Sequence, residues 1–208
     1  MNLKPSFFNR LRSLLNPKKG EDTESILNTL SRAIEAKDPY TLSHAERVSQ
    51  YAVDLGSSLG VSADDLNTLR KGGLLHDVGK IAISDEILLK PGKFSDEEFM
   101  TMKKHPVLGC EMCAKLSSLQ DALPIIRHHH ERLDGSGYPD GLQGKAISPL
   151  VRIVTVVDIY DALRSRRSYK EPFSVDLSFK VMWEEAGKGW WDKGVLAHWE
   201  KLIRSKNV

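Results

Sequence analysis

The sequence predicts an all-α fold in one domain, and three observations carry that expectation. Apolar residues recur with a 3.6-residue period from residue 23 onward. The interruptions fall on glycine, proline and helix-capping residues. A single long stretch, 134–149, is irregular throughout.

Residues 1–22 read as a basic amphipathic N-terminal segment. Lys4, Arg10, Arg12, Lys18 and Lys19 stand there, with no acidic residue through position 20. Phe7, Phe8, Leu11, Leu14 and Leu15 share one helical face. Such a helix packs on its own domain or on a partner chain, or makes weak membrane-surface contact through residues 1–20. The predicted domain spans 23–208. Ile26, Leu27, Leu30, Ala33 and Ile34 mark its first helix, ending near Lys37 before Asp38-Pro39. Ala45, Val48, Ala52, Leu55 and Leu59 mark a second, closed by Gly60. Ser62 and Asp65 open a third, with Leu66, Leu69 and Gly73 on one face. Ser95-Asp96-Glu97-Glu98 is a capping box that starts a helix through Phe99 and Met102. Pro106 interrupts it, and Val107 to Leu116 resumes it. Ala122, Ile125, Ile126 and Leu133 mark another. Gly135, Gly137, Gly141, Gly144, Pro139 and Pro149 then exclude a helix or central strand, and loops this long in a compact domain are usually functional. Ile153 to Val157 has strand propensity, but Val154, Val157, Asp158, Asp161 and Ala162 continue a helical face, so helix is expected. Helical pieces around Leu177–Glu185 and Leu196–Ile203, separated by Gly187 and Gly189, complete the chain.

Composition narrows the function classes. At 208 residues and 40% hydrophobic, the chain can bury a core without disulfides or a structural metal. Thirty Lys+Arg against 28 Asp+Glu leaves +2, too balanced for a binder of duplex nucleic acid. No apolar run nears the roughly 20 residues of a membrane span. The N-terminus lacks a secretory pattern and two cysteines do not make a disulfide framework, so the cytoplasm is the expected compartment. Cys110 and Cys113 form a CxxC with no second pair, and half-buried helical thiols are its simplest reading.

Several polar residues share the apolar faces. His44 lies one turn before Val48, His76 three residues after Gly73, and His129 and His130 follow Ile126 by three and four. Asp158 follows Val154, and Asp161 follows Val157, each by four; His128 falls off the apolar face. One inward histidine is usually a satisfied core residue. Several inward His and Asp on different helices are better explained by a shared divalent cation, because each buried carboxylate otherwise costs several kcal/mol. Imidazole and carboxylate with little sulfur suit iron, manganese, zinc or nickel.

The stretch LLHDVGKIAISDEILLKPG (74–92) resembles the signature of the HD superfamily of metal-dependent phosphohydrolases. HHERLDGSGYPDGLQG (129–144) matches the HHExxDGxGYPxGLxG pattern of its HD-GYP branch, and VRIVTVVDIYDALRSRRSYK (151–170) its next segment. DPYTLSHAERV (38–48) and KKHPVLG (103–109) fit upstream, so the resemblance covers about 24–195. It implies an HD-superfamily helical bundle with a Gly-rich GYP loop and a two- or three-metal centre that hydrolyses cyclic dinucleotides, chiefly cyclic di-GMP. The ligands it implies are His44, His76, Asp77, His105, His129, His130 and Asp158. Asp77 would bridge, with His44, His76 and Asp158 on one ion and His105, His129 and His130 on the other.

The same resemblance implies attack by a metal-bridging hydroxide that opens the ring to linear pGpG, with GMP as a further product. It makes Lys80 a phosphate contact beside the catalytic Asp77, makes Arg167 and Lys170 a clamp on the second phosphate, and puts Gly137, Tyr138 and Pro139 against the substrate. Asp161, turned inward near Asp158, joins them as a candidate substrate contact. Ser168 stands where proline is common in the family, and Arg164 and Arg166 are more basic than its usual residues. Three-metal members carry Glu four residues before the first ligand histidine. Here that position is Tyr40, a poor ligand at neutral pH, so two ions are expected, iron or manganese first, with zinc, nickel or magnesium as alternatives. The competing readings are hydrolysis of a mixed GMP–AMP ring, and a catalytically silent sensing or interaction module, against which the intact ligand set argues. Regulation is expected from a protein partner, if at all.

Overall fold

The computed structural model describes residues 23–37, 39–165 and 171–206, without the side chains of residues 35 and 39–42. The N-terminal segment, Arg167 and Lys170 therefore lie outside the described residues. Ten α-helices carry the described chain: α1 (Thr23–Lys37), α2 (Pro39–Ser58), α3 (Ala63–Leu75), α4 (Asp85–Leu88), α5 (Asp96–Met102), α6 (His105–Cys113), α7 (Leu123–His128), α8 (Pro149–Arg164), α9 (Val175–Gly187) and α10 (Lys193–Lys206). Among the described residues there is no strand, only an isolated bridge between Asp134 and Gln143. The all-α expectation holds.

Local chemistry sets the boundaries. Ser62, Ser95, Ser148 and Ser174 cap α3, α5, α8 and α9, each accepting from a backbone N–H three residues on. At Ser95 the capping box is complete, with Glu98 accepting from the Ser95 N–H. Pro106, Pro124 and Pro149 sit in first turns, where a missing N–H costs nothing. The β-branched run Ile153–Val157 is helical because α8 is buried nearly all round, from Val151 to Asp161. Burial on every side overrides strand propensity there. Two boundaries differ from expectation. Helix α6 runs from His105 to Cys113, opening before Pro106 and ending short of Leu116. Helix α7 ends at His128, so Leu133 is not on it, and His129 and His130 occupy the turn that follows.

The apolar interior divides into two clusters. One gathers Val48, Leu55, Leu69, Ile125, Val154, Phe179, Met182 and Trp199. The other gathers Leu27, Leu30, Ile34, Leu75, Val78, Ile81, Leu119 and Ile126. Helices α3 and α7 feed both clusters, through Leu69 and Leu75 and through Ile125 and Ile126. His76 follows Leu75, and His129 follows that isoleucine pair by three residues. The histidines are thus anchored by elements fixed on two sides. No described helix is long and apolar enough to cross a membrane.

Candidate metal centre

The structure brings seven sequence-predicted side chains to one place. Asp77, His105, His129 and His130 offer ligand atoms all within 4.8 Å of one another, and so do His44, His76 and Asp77. Asp77 belongs to both groups. Its Oδ1 lies 3.2 Å from His105 Nε2, and its Oδ2 lies 3.4 Å from His76 Nε2. Asp158 joins the second group, with Oδ1 3.1 Å from His44 Nε2 and 3.9 Å from His76 Nε2.

Close backbone packing creates that convergence. A Cβ on Gly79 would stand 1.9 Å from the His105 carbonyl oxygen, so α6 approaches the segment after Asp77 only because residue 79 is glycine. Gly73 similarly admits the backbone of Ser49 on α2.

The imidazoles are oriented from behind. His76, His105 and His129 each donate Nδ1–H to the carbonyl three residues back, at Gly73, Met102 and Ile126, over 2.7, 2.8 and 3.0 Å. In a neutral ring that fixes Nε2 as a bare lone pair facing the centre. His44 donates Nδ1–H to Asp161 Oδ2 at 2.7 Å. Asp161, expected against the substrate, stands instead behind His44. It is buried, and its oxygens also accept from Arg47 at 2.6 and 2.9 Å and from Ser165 at 3.0 Å.

Charge follows burial and neighbours. Burial opposes ionisation of Asp77, but Lys80, His76 and His105 outweigh it and hold the carboxyl well below the usual range. Asp158 is held down too, with His44 and His76 overcoming burial. Burial, reinforced by neighbouring imidazoles, depresses His129 far below its ordinary value and pushes His130 down to about 3. Burial would depress His44 as well, but Asp158 and Asp161 raise it to about 9.

These residues fit divalent ions. His76 Nε2 is buried without a hydrogen-bond partner. His105 Nε2 and His129 Nε2 face each other at 3.3 Å, and two lone pairs so placed share a cation far better than they share nothing. Imidazole nitrogens converging on carboxylate oxygens are a hard-to-borderline donor set.

Other expected residues flank the centre. Lys80 donates to Asp77 Oδ2 at 2.5 Å. Gly137 packs on the backbone of 130–132, where a Cβ would come within 2.4 Å of the Arg132 nitrogen. Tyr138 lies with its ring centroid 4.8 Å from that of His130, and the Tyr138–Pro139 bond is cis. Arg164 donates to the Phe173 carbonyl, which ties the end of α8 to Phe173. His128 pairs with Asp140 away from the centre. Cys110 and Cys113 are free, and burial pushes the Cys113 thiol up to about 12, as befits an inert helical thiol.

Sequence reasoning gave no role to Arg47, Glu131 or Thr155. Arg47, three residues after His44, could have been found from shared helical face. Glu131 is buried and accepts from the Asp140 and Leu142 N–H groups at 2.7 and 3.0 Å, fastening the loop. Thr155 donates to the His129 carbonyl at 3.0 Å. Neither contact has a sequence periodicity to reveal it.

A model of the HD domain matches residues 28–195. The chain belongs to the HD domain family. It carries the motifs of that family's HD-GYP branch. The cyclic di-GMP phosphodiesterase response regulator RpfG of Xanthomonas campestris is 41% identical over 181 residues, covering 86% of this chain and 48% of the relative. The 3′3′-cGAMP-specific phosphodiesterase 3 of Vibrio cholerae is 38% identical over 161 residues, 77% of this chain and 35% of the relative. This HD domain chain therefore spans half or less of the length of those relatives. A solved HDG"Y"P protein from Bdellovibrio bacteriovorus, Bd1817, superposes with a TM-score of 0.65 at 26% identity, over 77% of this chain and 51% of that one.

Proposed function

We propose that this HD domain is a metal-dependent phosphodiesterase that opens cyclic di-GMP to linear pGpG. The observation that carries the reading is the convergence of His44, His76, Asp158, His105, His129 and His130 on a shared Asp77. His44, His76 and Asp158 would hold one divalent ion and His105, His129 and His130 the other, iron or manganese by donor type. Two such ions would supply a nucleophile at neutral pH and withdraw charge from the phosphodiester.

The chain's own residues do the rest. Asp161, held by Arg47, keeps the His44 ring turned inward. Lys80, paired with Asp77 and more exposed than it, would give its ammonium to a phosphate oxygen. Glu131 holds the 137–142 loop so that Tyr138 walls the site beside His130. Arg167 and Lys170 are assigned to the second phosphate by their motif positions. Burial, with Asp77 and Asp158 nearby, raises the Tyr138 phenol, which stays protonated as a donor.

A mixed GMP–AMP ring is the second reading, supported by the likeness to a cGAMP-specific phosphodiesterase. The test is to load the protein with Mn²⁺ or Fe²⁺, incubate it with each cyclic dinucleotide and identify products chromatographically. Linear pGpG from cyclic di-GMP is expected, and metal-loaded protein that leaves every ring intact overturns the reading.

A further inference from the structure

We infer that Lys103 reads the guanine of the substrate, with Phe99 as the face on which that base stacks; this rests on the cyclic-dinucleotide reading above. Lys103 caps the C-terminus of α5, two residues before His105. Its ammonium stands 4.7 Å from the centroid of the Phe99 ring and 5.1 Å from that of Tyr138. Tyr138 in turn lies against His130, the least enclosed imidazole of its group. Lys103 is thus one ring removed from the metal centre, through Tyr138 and the partly buried His130.

Two features point to a ligand. Among the described residues Lys103 has no carboxylate partner and no side-chain hydrogen bond, whereas Lys80 is paired with Asp77 and Lys90 with Glu98. Aromatic faces attract its charge but leave three N–H donors without acceptors. Phe99 is 45% exposed, so the ring that carries the Lys103 ammonium also offers π surface to solvent. Base stacking on such a face is sequence-tolerant. The ammonium is not. Guanine offers two acceptors, O6 and N7, on one edge, while adenine sets an N6 donor beside N7. A side chain with donors alone therefore favours guanine and opposes adenine.

The test compares metal-loaded wild-type, K103M, K103R and K103Q proteins with cyclic di-GMP, 3′3′-cGAMP and cyclic di-AMP, measuring dissociation constants and kcat/KM together. Wild type should prefer guanine, and K103M should lose roughly ten- to a hundredfold on cyclic di-GMP with little change on cyclic di-AMP. K103R should keep the preference, and K103Q should move it towards adenine, a shift that misfolding cannot produce. An unchanged guanine-to-adenine ratio in K103M and K103Q, or an equal loss on all three rings, overturns the assignment. So does a wild type without guanine preference. If wild type turns over none of the rings yet binds with a guanine preference that K103Q reverses, the base reading stands and the hydrolase reading falls.

Discussion

Asp161 stands behind a candidate metal ligand and orients it. Its oxygens accept from His44, Arg47 and Ser165, so its charge is spent on aiming one imidazole. Asp161→Asn should leave the fold intact but weaken metal retention by roughly ten- to a hundredfold, read by titration and elemental analysis. Unaltered metal affinity would show that His44 needs no such support. Lys80→Ala and Arg167→Ala are expected to behave differently, keeping their metals and losing roughly ten- to a hundredfold in turnover or binding, about 1.5–3 kcal/mol for a charge-assisted contact. Metal loss in either variant would move that residue from the phosphate to the ion.

Helix ends, more than helix middles, build this site. Asp77 and His105 meet because Gly79 lets α6 close on the segment that follows α3. Gly79→Ala should destabilise the protein by at least about 1–3 kcal/mol and lower its metal content, since the added methyl overlaps the His105 carbonyl. Thermal unfolding with and without added Mn²⁺ measures this, and a wild-type melting curve would deny the close approach. The same helix ends explain what the sequence revealed and what it did not. Period and caps placed α1, α2, α3 and α8 and turned His44, His76 and Asp158 inward, because those residues lie on or at the end of regular helices. His129 and His130 sit beyond the end of α7, and His105 opens α6 at a proline turn, so for His105 the motif resemblance, not periodicity, supplied the expectation. Asp161 was correctly turned inward, but which neighbour it would meet depended on Arg47 from another helix, a tertiary contact with no local signal.

The molecule is two apolar cores with a polar centre anchored to both. Seven ionisable groups share a small volume there, and divalent cations would occupy the facing lone pairs. With Tyr40 at the position where three-metal relatives in the family carry Glu, two ions per chain are expected, and anomalous scattering peaks for three at full occupancy would refute that count. Linear pGpG is then the expected main product. Because Asp77 serves both groups, one substitution interrogates the whole centre. Metal content and turnover of wild type should be measured beside Asp77→Ala: two ions and cyclic di-GMP hydrolysis for the former, loss of both for the latter. Full turnover in metal-replete Asp77→Ala protein would mean that the chemistry lies elsewhere.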